Sequence, residues 1–232
     1  MVCRMVIDIS PMLMDLYGGS YKLIIFDLDG TVSDSFSGIL HCFKRMLEHY
    51  NVDYPGDDEM GAYLHGSVHD HIRKLLNTDD KGVSDALEIY RDYYISEGEA
   101  MCKPFDGAED VFRELKKAGY LLGVATMKIH NYAVMQLENW GFFDYFDTVH
   151  GADPNGMMDK SDLIQMCLKD INVEPEDALM IGDSVDDLLN ARKASVPFLA
   201  ASYGSNLSPS ICEDNGIDYV RSIREVVSFI VG

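Results

Sequence analysis

Apolar residues in this chain fall into short dense runs, separated by stretches in which they recur every third or fourth position. Residues 22–26 (KLIIF) form a run of strand formers that stops at Asp27-Leu28-Asp29-Gly30-Thr31, which reads as a buried strand entering a turn. Further runs at 120–126 (YLLGVAT), 146–149 (FDTV), 178–181 (ALMI), 197–200 (PFLA) and 218–220 (DYV) predict five more strands. Between them the spacing is helical. Over 107–118, Ala108, Val111, Phe112 and Leu115 share a face and Gly119 closes the helix; 130–139, 161–170, 185–194 and 221–231 follow the same pattern. Apolar strands alternating with helices imply a parallel sheet covered on both faces, with ligands at the carboxyl ends of its strands. Asp27, Asp29, Thr126 and Asp183 all fall at such ends.

The alternation breaks between residues 36 and 103. Helical patterns at 36–50, 67–77 and 83–100 carry no convincing strand, so this stretch reads as a helical cap inserted after the first strand and rejoining the core near Pro104. The expected division is an N-terminal extension over 1–20, a Rossmann-like core made of 21–35 and 104–232, and a cap over 36–103. The extension lacks the basic start and apolar run of a secretory signal, and no stretch is long and apolar enough to span a bilayer.

With 47% hydrophobic residues in 232, the chain can bury a core without disulfides. Its formal net charge of −20 repels nucleic acid and anionic membranes, so neither is an expected partner. The same field repels a phosphorylated substrate, so a phosphate site here needs local positive charge or backbone N–H groups. Cys3, Cys42, Cys102, Cys167 and Cys212 are odd in number and form no close pair, which argues for buried free thiols in a reducing, cytoplasmic setting.

Phosphoryl transfer needs an in-line nucleophile, neutralisation of the oxygens and a proton for the leaving group. Asp27 and Asp29, two residues apart at a strand end, can face one crevice; one can attack phosphorus and the other can serve as general acid and base. Asp183, followed by Asp186 and Asp187, brings more carboxylates to another strand end. Crowded carboxylates repel unless a cation sits among them, and an all-oxygen set suits Mg²⁺. Thr126 offers a hydroxyl beside the Met127 N–H, and Lys160 opens a helix where it can neutralise phosphate.

FDLDGTVSDS resembles the first motif of the haloacid dehalogenase superfamily, Thr126 the second, Lys160 the third, and GDSVDD at 182–187 the fourth. The stretch PFDGAEDVFRELKKAGYLLGVATMK and the helical insertion are similar to the subfamily that contains phosphoglycolate phosphatases. The resemblance implies an α/β fold with a Rossmann-like parallel core and an inserted α-helical cap. It implies Mg²⁺-dependent hydrolysis of a small phosphorylated metabolite, by a monomer or homodimer. Asp27 would be nucleophile and metal ligand. Asp29 would be the acid/base with its carbonyl on the metal, and Asp183 a direct ligand. Asp187 would act through water or by holding Lys160. Thr126, Met127 and Lys160 would hold the phosphoryl oxygens, and Gly30 and Thr31 would shape the loop around them. Met127 and Ser161 depart from the residues common at their positions.

Plainer readings stand beside these. Asp27 and Asp29 suit an acidic turn, Asp183 a helix N-cap, Thr126 an ordinary strand, and Lys160 a solvated surface with Lys128 as rival phosphate partner. Asp186 is expected to face solvent. His41, His65, His69 and His71 in the cap are expected to be surface or packing residues, as are Tyr90, Tyr93 and Tyr94. His65, Gly66 and Ser67 precede a helix where a cap could reach substrate. The alternatives on the same fold are a phosphomutase similar to β-phosphoglucomutase and a non-catalytic phosphometabolite-binding protein.

Overall fold

The computed structural model describes residues 21–61, 68–153, 158–204 and 207–232. The expectations for 1–20, and for His65, Gly66 and Ser67, lie outside the described residues.

The first strand, β1 (Leu23–Phe26), is buried on both faces, which is why its sequence is a continuous apolar run. Leu23 and Ile25 pack with Ala125, Leu163, Ile164, Cys167 and Met180 on one side of the sheet. Ile24 and Phe26 pack with Val111, Phe112, Leu122, Val124, Leu179 and Ile181 on the other. After the two-residue strand β2 (Ser33–Asp34) come helices α1 (Phe36–His49), α2 (Asp57–Met60), α3 (Val68–Leu76) and α4 (Asp80–Tyr93), a π-helical turn over Tyr94–Gly98 and a 3₁₀ turn over Glu99–Met101. Strand β3 (Lys103–Pro104) then pairs antiparallel with β2, Ser33 facing Pro104 and Asp34 facing Lys103, so both crossings of the chain run side by side.

The remaining elements are α5 (Ala108–Lys117), β4 (Leu121–Ile129), α6 (His130–Asn139), β5 (Thr148–Ala152), α7 (Lys160–Ile171), β6 (Ala178–Gly182), α8 (Val185–Lys193), β7 (Phe198–Ala201), α9 (Pro209–Asn215), β8 (Tyr219–Val220) and α10 (Glu225–Val231). Six strands form one parallel sheet in the order β5-β4-β1-β6-β7-β8. The register aligns Phe26 with Val124 on one side and with Ile181 on the other, so Asp27, Thr126 and Asp183 emerge one or two residues past the same row. From β1 the chain builds outward to β4 and β5 on one side and then crosses over to β6, β7 and β8 on the other, so β1 sits at the switch point at which such sheets bind ligands.

The helices between β2 and β3 have a core of their own: Phe43, Met46, Leu47, Ile72, Val83, Leu87, Tyr90 and Tyr94 are buried together, with Tyr132 of α6 and Trp140 just after it packed against them. Asp79 caps α4, accepting from the Gly82 N–H at 3.0 Å.

Several boundaries differ from expectation. The strand predicted at 146–149 starts at Thr148, because Asp147 turns its side chain back to accept from the Leu122 N–H at 2.8 Å. The helix predicted over 83–100 spans 80–93 before loosening into the π and 3₁₀ turns, and the last helix begins at Glu225 rather than 221. Strand β4 does not stop at Thr126 but runs to Ile129 through an irregularity in its pairing with β5. Helix α9 was not anticipated, although Ser208 at its N-cap, Pro209 and left-handed Gly216 mark both its ends; its single buried apolar residue, Cys212, leaves no periodicity to read. Cys42, Cys102, Cys167 and Cys212 are free and buried, as expected. No helix among the described residues is long and apolar enough to cross a membrane.

Candidate active site

The loop after β1 is wound around one carbonyl: the N–H groups of Thr31, Val32 and Ser33 all donate to Leu28 O, and Gly30 N donates to Ser33 O at 2.7 Å. This requires Gly30 to adopt φ +83°, and a Cβ there would collide with the Asp183 carboxylate. The close approach brings the β1 and β6 ends together. One carboxylate oxygen from each of Asp27, Asp183 and Asp187 lies within 4.8 Å of the others, and all three residues are buried. Among the described residues this is the one such acidic or metal-ligating group.

Lys160 neutralises it in part. Asp159 and Asp162 form a capping box that starts α7 at Lys160, and the lysine, itself buried, pairs with Asp187 Oδ1 and lies 2.8 Å from Asp27 Oδ1. It is therefore not a solvated surface lysine. Burial works against its charge, but Asp187 and Asp27 outweigh that and raise its pKa. Asp187 is the third residue of α8 and closes a capping box with Ser184. Its Oδ2 accepts from Asp183 N at 3.1 Å, Ser184 N at 3.0 Å and Ser184 Oγ at 2.8 Å. Both its oxygens are engaged, so its geometry is that of a holder of Lys160, and Ser184 rather than Asp183 is the N-cap. Asp27 Oδ1 is buried, with the Lys160 ammonium as its near partner. Burial pushes the Asp27 carboxyl up to about 7, with Lys160 opposing and the charges of Asp187 and Asp183 adding to the rise.

A cavity of about 430 Å³ opens from this cluster. Its core side carries Asp27, Asp29, Thr126, Met127, Lys128, Lys160 and Asp183; its far wall is formed by the inserted helices, with Phe36, Ile39, Phe43, Leu87, Tyr90 and Arg91. Thr126 is buried, and its hydroxyl accepts from Lys128 N at 3.2 Å, which leaves its hydrogen to donate. Met127 is 47% exposed. Gly30 and Thr31 lie behind the cavity rather than on its wall, Gly30 against Asp183 and Thr31 with its carbonyl accepting from the Tyr203 hydroxyl at 2.7 Å. Asp186 is exposed, and His41 pairs with Glu97 at 2.6 Å. Tyr90 and Tyr94 do pack in the helical insertion, but both also face the cavity, and the Tyr94 hydroxyl bonds to Lys128 at 2.8 Å, so packing alone does not describe them. Nothing in the local pattern around Tyr94 marks it as part of the site.

Residues 24–201 match the family model of haloacid dehalogenase-like hydrolases. The chain belongs to that family. Tyrosine-protein kinase PtkA of Mycobacterium tuberculosis is 30% identical over 188 residues, which are 81% of this chain but 64% of the relative. This chain thus spans 64% of the length of that relative. Phosphoglycolate phosphatase of Thiobacillus denitrificans is 26% identical over 217 residues, 90% of this chain and 95% of its own. The solved structure of a "predicted phosphatase" from Clostridium acetobutylicum superposes with TM-score 0.83 at 29% identity, covering 91% of this chain and 98% of the other. In this haloacid dehalogenase-like hydrolase, then, the buried acidic cluster lies just past the ends of β1 and β6, within the matched residues.

Proposed function

We propose that this chain is a Mg²⁺-dependent phosphatase acting on a small phosphomonoester, with 2-phosphoglycolate the leading substrate. The observation that carries the proposal is the buried trio Asp27, Asp183 and Asp187, with Lys160 paired to Asp27 and Asp187, opening onto a cavity that Asp29 shares. The carboxylates of Asp27 and Asp183 and the carbonyl of Asp29 would hold Mg²⁺, a hard cation suited to an all-oxygen donor set. When bound, the ion supplies positive charge against the phosphoryl oxygens.

Asp27 attacks phosphorus and forms an aspartyl-phosphate, while Asp29 protonates the leaving oxygen. Asp29 then takes a proton from water, which attacks the acyl phosphate and regenerates Asp27. Thr126, the Met127 N–H and the spare N–H of Lys160 hold the transferring group; Asp187 keeps Lys160 aimed at it. Residues 36–103 act as a cap that shields the first step from water. Buried free thiols suit a cytoplasmic protein.

The test is phosphate release from p-nitrophenyl phosphate and 2-phosphoglycolate, with Mg²⁺ and with EDTA, by wild type and Asp27→Asn. Release that needs Mg²⁺ and vanishes in Asp27→Asn is expected. Absence of release from every ester offered would reject the phosphatase reading. Turnover only with a sugar bisphosphate would point to a mutase, and transfer from ATP to a tyrosine to the activity named for the mycobacterial relative.

A further inference from the structure

A second buried lysine sits in the cavity wall, and the mechanism above leaves it without a task. Lys128 follows Met127 near the end of β4, and its side chain is 5% exposed. Its ammonium donates to Asp29 Oδ1 at 2.6 Å, to the Tyr94 hydroxyl at 2.8 Å and to Gln136 Oε1 at 3.0 Å. The nitrogen also lies 5.0 Å from the centroid of the Tyr94 ring. Gln136, fully buried on α6, donates to the same Tyr94 hydroxyl at 3.3 Å. An ammonium has three N–H donors, and here each has a partner. Lys160 differs: its partners are Asp27 and Asp187, which leaves one N–H for a phosphoryl oxygen. The two lysines therefore cannot be exchanged as phosphate partners.

We propose that Lys128 is a positioning residue that fixes the Asp29 carboxyl for proton transfer, and that through Tyr94 it ties the aim of this acid/base to the seating of the helical insertion. The proposal rests on the acid/base role given to Asp29. In the first step an Asp27 oxygen bonds to phosphorus as the ester P–O bond breaks. The electron pair of that bond goes to the leaving oxygen, which takes the proton of Asp29 and leaves a carboxylate behind. With Oδ1 held by Lys128, Oδ2 is the oxygen that carries the proton to the leaving group. The neighbouring ammonium stabilises the carboxylate that results. Tyr94 begins the π-helical turn of the insertion, and Gln136 and Lys128 belong to the core, so the network closes only when the two parts are in register.

A lysine that merely stabilised the fold would affect all substrates alike. One that aims a general acid matters in proportion to the leaving group's need for a proton. An alkoxide needs it strongly, and p-nitrophenolate far less. The quantity to compare is kcat/KM, which covers the steps up to leaving-group departure and excludes hydrolysis of the aspartyl-phosphate. In Lys128→Met, kcat/KM is expected to fall on the order of 100-fold for 2-phosphoglycolate or glycerol 3-phosphate, and by less than about 3-fold for p-nitrophenyl phosphate. Lys128→Arg, which keeps the charge and donors, should recover much of the alkyl-ester rate. In an Asp29→Asn background, Lys128→Met should cost nothing further on the alkyl ester.

Equal losses on both classes of ester, or losses that add to those of Asp29→Asn, would overturn the proposal while leaving the phosphatase reading intact. A wild type that hydrolyses neither class removes that reading, and this inference with it. Should Lys128→Met not fold, Lys128→Gln is read by the same ratio, since its amide can still donate to Asp29 but carries no charge.

Discussion

Asp27→Asn should make the metal-free protein more stable while abolishing its turnover. Three carboxylates crowd together and two of them pair with one lysine, and burial with two like charges holds Asp27 up to about 7 against an ordinary 3.8. A raised carboxylate pKa means that the folded state binds the proton more tightly than the unfolded chain does. Below about 3.8 both states are protonated and the group contributes nothing; above about 7 the ionised carboxylate weighs fully against folding. The interval corresponds to about 4 kcal/mol, and water entering the crevice brings it to roughly 2. Asparagine mimics the neutral acid, so at pH 8 in EDTA the variant should exceed wild type by about 2–4 kcal/mol in urea unfolding, or roughly 4–16 °C in Tm. The gap should close as the pH falls from 7 toward 4. Mg²⁺ should raise the stability of wild type more than that of the variant, because the wild-type carboxylate supplies the charge the ion would meet. A gap that is absent at pH 8, or unchanged at pH 4.5, would refute the electrostatic account; turnover at the wild-type rate would refute the nucleophile.

Two further substitutions probe the same cluster. Lys160→Met leaves Asp27 and Asp187 without their cation, so it should lower stability by about 3–5 kcal/mol at pH 7 and abolish turnover; undiminished stability in urea would count against the buried ion pairs. Gly30→Ala forces a side chain into φ +83° and against Asp183. It should cost about 1–2 kcal/mol in backbone strain and weaken the dependence of turnover on Mg²⁺, seen as a higher metal concentration for half-maximal rate; an unchanged Mg²⁺ curve would show that the β1 and β6 loops need not touch.

The chain's local patterning determined the layered α/β core and the place of its chemistry. The central strands β1 and β6 coincide with apolar runs, because strands buried on both faces leave a signal that survives without knowledge of their neighbours, whereas the edge strand β5, only partly buried, is marked less sharply. Asp27 and Asp29 were legible because they share one turn, and Asp183 because it ends another buried strand. What only the tertiary structure decided is how the charges pair. A lysine side chain reaches far from its backbone in any direction, so spacing left Lys128 and Lys160 as rivals for one task. The extension of β4 past Thr126 sends Lys128 to Asp29, Tyr94 and Gln136, while the capping boxes of α7 and α8 bring Lys160 to Asp27 and Asp187. Tyr94 could not be read as a member of the site at all, since it is separated from Lys128 by 34 residues of sequence and meets it only when the helical insertion packs on α6.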